Sequence, residues 1–508
     1  MRNHTRCRLL FHGAIGCLAI VVLSQQTSAF AAEQAIPIGS HRQLFLDDWV
    51  VSQTSNVQRR QGMVTKNPNN PILVRDKAWE TQRVDLYGSA VFDPATNKLQ
   101  IFYSTMSLST PVKHDDMLAY AVSDDMGATW TKPDLGLIPF NGDRHTNLVL
   151  KAAANDFSGI VHGPCVFLDA HESDPTKRYK VFLNEYYNGC SFDRVGHFHY
   201  STGASVGKAG MYVAYSPDGI HWTRPSAKPF SGLHSDTTQS AFWDARLGKY
   251  VAYVRGWTSN GRSVFRMESD NFETWTEPTI VLEGTSSQQI YSMGVTPYEG
   301  IYLGTSWIFD ATVTSSQPSK PEIWPELAVS RDGVQWSRPF PGQQFIPTGS
   351  EGTRDSKQIR MSSSLVVLDD KILLVYGQSA DPHHINMRAE IGMATMRLDG
   401  FASLDAADAE GSLLTKPLRW DVGALHVNAI ARPGGYVKAE IQDAVGKPLA
   451  GYELDACQAL TGDQLNGRIA WEKEAMVPAT SSVGCRIRFL LKDAKLFSFW
   501  VAESKGRH

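Results

Sequence analysis

Five short polar stretches stand where apolar, strand-like runs begin, and each holds side chains able to carry charge or move protons. The first is Trp79-Glu80-Thr81-Gln82-Arg83-Val84-Asp85-Leu86-Tyr87. The second is Ile160-Val161-His162, the third His234-Ser235-Asp236-Thr237-Thr238-Gln239, and the fourth Ser286-Ser287-Gln288-Gln289-Ile290-Tyr291. The fifth and most polar is Glu351-Gly352-Thr353-Arg354-Asp355-Ser356-Lys357-Gln358-Ile359-Arg360. Two carboxyl groups across a cleft suffice for acid–base or nucleophilic chemistry. One gives a proton, while the other stays ionised and attacks or takes one. Asp85 is the first choice for base or nucleophile, with Glu80 and Arg83 beside it. Asp236 is the second carboxylate. Glu351 is the candidate general acid, and Asp355 is a like charge that would raise its pKa. Arg354, Lys357 and Arg360 oppose that shift. The plain alternatives are a solvated loop at Asp85, a structural histidine at His162 and a turn capped by Ser235 or Thr237. At the fifth stretch the plain alternative is a salt-bridged loop. In Asp381-Pro382-His383-His384, neighbouring strand residues face opposite sides, which argues against a shared metal. His384 is kept as a possible ligand contact. No metal or cofactor is expected.

The elements that must position these residues show themselves as a repeat. Four related segments end in Trp: Ser123 to Trp130, Ser216 to Trp222, Ser269 to Trp275 and Ser330 to Trp336. Each pairs Ser with Asp or Asn two residues on, and Pro follows soon after. Asp or Asn accepts backbone bonds in a tight turn, and Gly supplies positive φ in three copies. The turns read as structural rather than as ligand sites. Apolar strand pairs lie between them, such as Lys98–Tyr103 and Lys371–Tyr376. A unit of about four strands is one propeller blade. Five units are expected, near 84–140, 160–230, 234–283, 287–345 and 355–397. The last lacks the Asp-turn, and the early strand Gln43–Val51 is expected to complete it. Innermost strands line a propeller's channel, so their starts are where the chemistry is sought. The fold class is therefore all-β: a five-bladed β-propeller over 33–400, a linker over 401–415, and a small C-terminal β-sandwich over 416–508.

Residues 1–32 read as an export signal. Arg2, His4, Arg6 and Arg8 precede the apolar run Ala14–Leu23, and Ala29-Phe30-Ala31 offers a cleavage pattern. The run is short for a bilayer span, and no later segment reads as one. A lipoprotein anchor at Cys17 is the rival reading. The expected location is periplasmic or extracellular. Export and an even cysteine count favour disulfides, most simply Cys165–Cys190 and Cys457–Cys485. The formal net charge of −3, with no basic block, excludes nucleic acid as an expected partner. Oligomeric state is left open.

The Ser-x-Asp-x-Gly-x-x-Trp segments resemble the Asp-boxes of sialidases. More broadly, "QLFLDDWVV", "AYAVSDDMGATWTKPDLGL", "FWDARLGKYVAYVRG" and "YSMGVTPYEGIYLG" look like exported bacterial glycoside-hydrolase-like proteins. Those are related to the invertase-type and arabinanase-type families, numbered 32 and 43. The resemblance implies a five-bladed propeller with a carbohydrate site at the channel mouth; its acid and nucleophile roles do not carry over by motif, and the strand-start positions give a glycosidase that pairs Asp85 with Asp236 or Glu351. Glu80, Arg83, His162, Gln289, Tyr291, Arg354, Asp355 and His384 would then contact a polysaccharide or oligosaccharide. Arg354, Lys357 and Arg360 suit an acidic or sulfated sugar. The invertase signature Trp-Met-Asn-Asp-Pro-Asn-Gly is absent, and so are the Arg-Asp-Pro and Glu-Cys elements. Asp47-Asp48 stands near the position of that family's N-terminal aspartate but lacks its flanking motif. Two alternatives stay open: a non-catalytic carbohydrate-binding propeller, or a sialidase-like or lyase activity on the same scaffold. Arg83, Arg354 and Arg360 are the candidates for a sialidase-type arginine triad.

Overall fold

The computed structural model of the protein describes residues 34–107, 116–152, 159–187, 191–195, 198–202, 208–312, 322–383 and 388–502. The expected export signal, Cys190 and His384 lie outside them. The described residues are all-β, with two single-turn 3-10 helices, Ala78–Glu80 and Pro175–Lys177. No helix among them is long and apolar enough to cross a membrane.

Five antiparallel units follow one another along the chain. The first is Arg83–Asp93, Lys98–Met106, Met117–Ser123 and Leu148–Leu150. The second is Gly159–Leu168, Tyr179–Tyr187 and Gly210–Ser216. The third is Ser240–Asp244, Lys249–Thr258, Gly261–Ser269 and Thr279–Glu283. The fourth is Gln288–Tyr298, Ile301–Asp310, Ile323–Ser330 and Trp336–Ser337. The fifth is Gln358–Met361 with Val366–Val367, then Lys371–Ser379 and Glu390–Arg397. One parallel contact, Ile323 beside Gln358, joins the fourth unit to the fifth.

Hydrophobic layers fill the spaces between consecutive units. Val91, Phe102 and Tyr120 of the first pack on Val166, Val181 and Tyr212 of the second. Similar layers join the second to the third, the third to the fourth and the fourth to the fifth. A further layer joins the fifth to the first, where Val366, Leu373 and Ile391 meet Val84, Leu86 and Ile101. Each unit is thus covered on both faces. That is why a strand such as Lys371–Ser379 is apolar almost throughout instead of alternating.

The innermost strands of all five units also bond to one another. Ser89 Oγ lies 2.6 Å from Ser363 Oγ and accepts from Val166 N at 2.8 Å. Ala241 N donates to Cys165 Sγ, and Ser240 Oγ donates to Ser363 O at 2.8 Å. Val295 N donates to the same carbonyl. These contacts seal a floor beneath the strand starts.

Three expectations are corrected here. Gln43–Val51 does not complete the fifth unit: Gln43 and Leu44 pair with Phe499 and Ser498 of the terminal sheet. Thr65–Lys66 closes the fifth unit instead, against Ala394 and Thr395. Residues 401–415 are not an irregular linker. Ala402–Ala406 and Gly411–Thr415 are strands of a ten-stranded terminal sheet, which also takes in Val51–Ser55 and Gln58–Gln61. Last, Cys457 and Cys485 are both free, as is Cys165. Cys457 Sγ accepts from Ala439 N, and Cys485 lies opposite Asp443 and Leu418 on neighbouring strands.

Candidate functional site

Antiparallel order brings three places to one end of each unit: the start of the innermost strand, the end of the second and the start of the third. Arg83, Asp85 and Tyr87 come from the first such place, Tyr186 from the second and Asp116 from the third. Backbone irregularities re-aim the side chains there. The ladder shifts between Asp85 and Ser89, between His162 and Cys165, and between Ile290 and Ser292. Gly163 makes the second shift possible. Its φ is +56°, and a Cβ there would stand 1.7 Å from Thr237 O.

The side chains form a chain of alternating charge. Arg360 Nη2 lies 3.3 Å from Asp85 Oδ1, and Asp85 Oδ2 lies 3.9 Å from Arg83 Nη1. Arg83 Nη2 donates to Asp116 Oδ2 at 2.5 Å. Asp116 Oδ2 lies 3.3 Å from His162 Nδ1, and His162 Nε2 lies 3.2 Å from Asp236 Oδ1. Asp236 Oδ2 accepts from Arg255 Nη2 at 2.7 Å. The Tyr87 hydroxyl meets that of Tyr291 at 3.0 Å, and the Tyr186 hydroxyl points at Asp236 from 3.4 Å.

Burial and charge set the protonation states. Burial alone would raise the Asp236 carboxyl, but Arg255 and then His162 outweigh it and hold the group well below the ordinary range. Asp116 is lowered in the same way, against burial, by Arg83 and then His162. Burial disfavours charge on His162, yet its contacts with Asp116 and Asp236 raise it above 6.5. Burial first, and the Asp236 charge second, keep Tyr186 a neutral phenol. Asp85 and Asp116 are closed to solvent. The Asp236 side chain is 48 % exposed, the most open carboxylate of this network.

Of the three carboxylates expected to be catalytic, Asp85 and Asp236 are in this network and Glu351 is not. Glu351 sits on a turn, 83 % exposed, 2.9 Å from Lys357 Nζ. Arg83, His162, Gln289 and Tyr291 are all in or against the network. Glu80 is fully buried elsewhere, taking hydrogen bonds from Tyr103 and Lys132. Arg354 pairs with Glu390, and Asp355 pairs with Lys66. The supposed arginine triad is therefore not assembled: Arg83 and Arg360 flank Asp85, while Arg354 faces outward. Asp47 is held by two bonds from Arg331, which makes it structural.

Four functional candidates escaped the sequence reading. Asp116 follows Lys113-His114-Asp115 at the start of a third strand. Tyr186 ends a second strand. Arg255 and Arg262 flank the hairpin between the second and third strands of the third unit. For Arg255 and Arg262, a charged residue inside a largely apolar strand was the available signal; Asp116 and Tyr186 offered none. The repeated turns lie at the other end, after the third strands, with their Asp or Asn groups satisfied internally. Asp218 Oδ1, for example, accepts from Ile220 N and His221 N.

Among the described residues, no group of three His, Cys, Asp or Glu side chains is arranged to hold a metal. A groove of about 730 Å3 on the terminal sheet, lined by Asn56, Arg60, Asp405 and Lys495 among others, contains none of this network.

No protein-family model matches the chain, and no curated protein matches it. Solved structures overlap it at low identity. One is an N-acetylgalactosamine deacetylase from F. plautii, solved with blood group B trisaccharide: 16 % identity, 68 % of this chain, 97 % of that chain, TM-score 0.44. Another is a glycosyl hydrolase from Bacteroides ovatus: 16 % identity, 66 % of this chain, 94 % of that one, TM-score 0.44. A third is an exo-β-1,3-galactanase from Phanerochaete chrysosporium: 10 % identity, 87 % of this chain, 100 % of that one, TM-score 0.39.

Proposed function

We propose that the protein is an exported carbohydrate-active enzyme that cleaves a glycosidic bond in the cleft beside Asp236. The five units are read as the blades of a β-propeller, and the terminal sheet as a sandwich whose long bent strands serve both layers. The supporting observation for the propeller is the layer that returns from the fifth unit to the first. Kinship with the invertase-type and arabinanase-type families rests on the quoted phrases alone.

One observation carries the catalytic reading. Asp236 is ionised, open to solvent and in contact with a histidine whose proton is held in place. Asp236 attacks the anomeric carbon or takes a proton from water. His162, enclosed at Nε2 and 3.2 Å from Asp236, holds that carboxylate ionised and in place, Asp116 orients the ring through Nδ1, and the departing oxygen takes its proton from water. Asp85 anchors Arg83 and Arg360 and does not touch the substrate.

The closed state of Asp85 and the outward position of Glu351 leave one open carboxylate, which favours a second reading. On an acidic sugar, Asp236 or His162 would remove a ring proton and the chain would break by elimination. The product would then carry a new carbon–carbon double bond that absorbs in the ultraviolet.

The test is release of reducing ends from neutral and acidic polysaccharides, with the ultraviolet signal followed in parallel. Asp236→Asn and His162→Gln are each expected to lose about a hundredfold or more in rate, the scale of general acid–base catalysis. Glu351→Gln is expected to keep full activity. Cleavage that survives Asp236→Asn would overturn the assignment, and binding of glycans with no cleavage would favour a non-catalytic propeller.

A further inference from the structure

Arg262 is a cation without an anion. Each of the other three arginines in the network faces a carboxylate: Arg360 and Arg83 share Asp85, Arg83 holds Asp116, and Arg255 holds Asp236. Among the described residues, no carboxylate lies in ion-pair range of Arg262. Its Nη1 donates to the neutral Gln289 Oε1 at 2.8 Å, and its Nε is enclosed with no acceptor.

The surroundings of Arg262 are built rather than accidental. Its guanidinium carbon lies 4.3 Å from the Phe309 ring centroid, 4.7 Å from Trp257 and 5.4 Å from Tyr291. Trp257 pairs directly with Arg262 across the hairpin, and Arg255 lies two residues before Trp257 on the same face. Gly261 lets Gln289 close beneath. At φ +100°, a Cβ there would stand 2.3 Å from the Gln289 Cδ. Arg255 also keeps one nitrogen, Nη1, enclosed and unpaired. Burial and then the neighbouring Arg255 charge push the Arg262 pKa down to about 10. Among the described residues, this network sets three carboxylates against four arginines, an excess of positive charge that grows when His162 is protonated.

A half-buried guanidinium with an enclosed, unpaired Nε gains from an anion that completes it. Its planar fork suits the paired oxygens of a carboxylate or sulfate. We propose that Arg262, with Arg255 beside it, is a subsite for an anionic substituent, carboxylate or sulfate, on the sugar bound over Asp236. The proposal rests on the carbohydrate reading above but not on its mechanism.

Calorimetric titration of the whole protein tests it with five probes: glucuronate, galacturonate, galactose 6-sulfate, glucose and galactose. An acidic probe is expected to bind at least tenfold tighter than its neutral counterpart. Whichever of the uronates or the sulfate binds identifies the anion. Arg262→Gln is expected to remove that preference, while Arg262→Lys keeps part of it. Arg262→Gln should also melt no lower than wild type, because it removes an uncompensated charge. Equal binding of acidic and neutral probes would overturn the proposal, as would an acidic preference unchanged in both variants. Arg262-dependent binding without cleavage of any glycan would leave the subsite standing and remove the glycosidase. Cleavage of a neutral glycan that depends on Asp236, with no acidic preference, would do the reverse.

Discussion

At the scale of residues, the site depends on which carboxylates are shut in. Asp85 and Asp116 spend their charge on arginines, so within the described network Asp236 is the carboxylate left open to solvent. Removing one partner of a buried pair leaves the other charge stranded, a cost of about 3–5 kcal/mol. Asp85→Asn and Asp116→Asn are therefore expected to lower stability strongly in denaturant titrations, whatever they do to activity. Asp116 also sets a proton. It helps raise His162 above 6.5, so the alkaline fall of the rate should lie above that value. In Asp116→Asn the fall should move to lower pH, which a merely structural change would not cause. Stability follows the same groups with opposite signs. The lowered carboxyls of Asp116 and Asp236 stabilise the fold above pH 3.8 and lose that share as pH falls through their folded values. The raised His162 contributes fully below 6.5 and loses its share as pH rises through its folded value. Melting temperature should thus peak between these limits, and His162→Gln should flatten the alkaline side.

At the scale of elements, the site exists because strands bend where side chains must turn inward. The shift at Gly163 aims His162 between Asp116 and Asp236. Gly163→Ala would force a left-handed conformation, at about 1–3 kcal/mol, and a clash with the Thr237 carbonyl besides. The expected loss is at least about 2 kcal/mol in denaturant titration, with activity falling further than stability as His162 swings away. Such bends explain what the sequence made legible. The repeated turns, the strand pairs and the starts of the innermost strands are local patterns, and they pointed to Arg83, Asp85, His162, Asp236 and Tyr291, which the fold brings together. Asp116, Tyr186, Arg255 and Arg262 come from other strands of the units, and only the antiparallel fold carries them to the same end. Glu351 stands outside the network: a dense charged stretch looks alike in a cleft and on an open turn. The pairing of Cys457 with Cys485 failed similarly, since even counts say nothing of which strands lie side by side.

At the scale of the whole molecule, the N-terminal segment stitches the five units to the terminal sheet. Strands up to Gln61 belong to the terminal sheet, and Thr65–Lys66 closes the fifth unit a few residues later. The two bodies meet at Asp399, which is fully buried and has φ +60°. It accepts hydrogen bonds from Arg42 at 2.8 Å, Asn428 at 3.1 Å and Ser498 at 2.6 Å, and from Tyr298 of the fourth unit. Leu44, Leu46 and Phe401 extend the layer between the fourth and fifth units into this junction. A chain ending at Gly400 would leave the N-terminal strands without partners and Asp399 without Asn428 and Ser498. It is therefore expected not to fold alone, and the full chain to unfold in one calorimetric transition. Asp399→Ala supplies the sharper test. It strands Arg42 in a buried junction, a loss of about 3–5 kcal/mol. Because the proposed catalytic site lies at the starts of the innermost strands and not at this seam, the variant should keep its turnover rate at low temperature while its single transition moves down. Two separate transitions in wild type, or a soluble and fully active chain ending at Gly400, would show instead that the terminal sheet is an independent appendage.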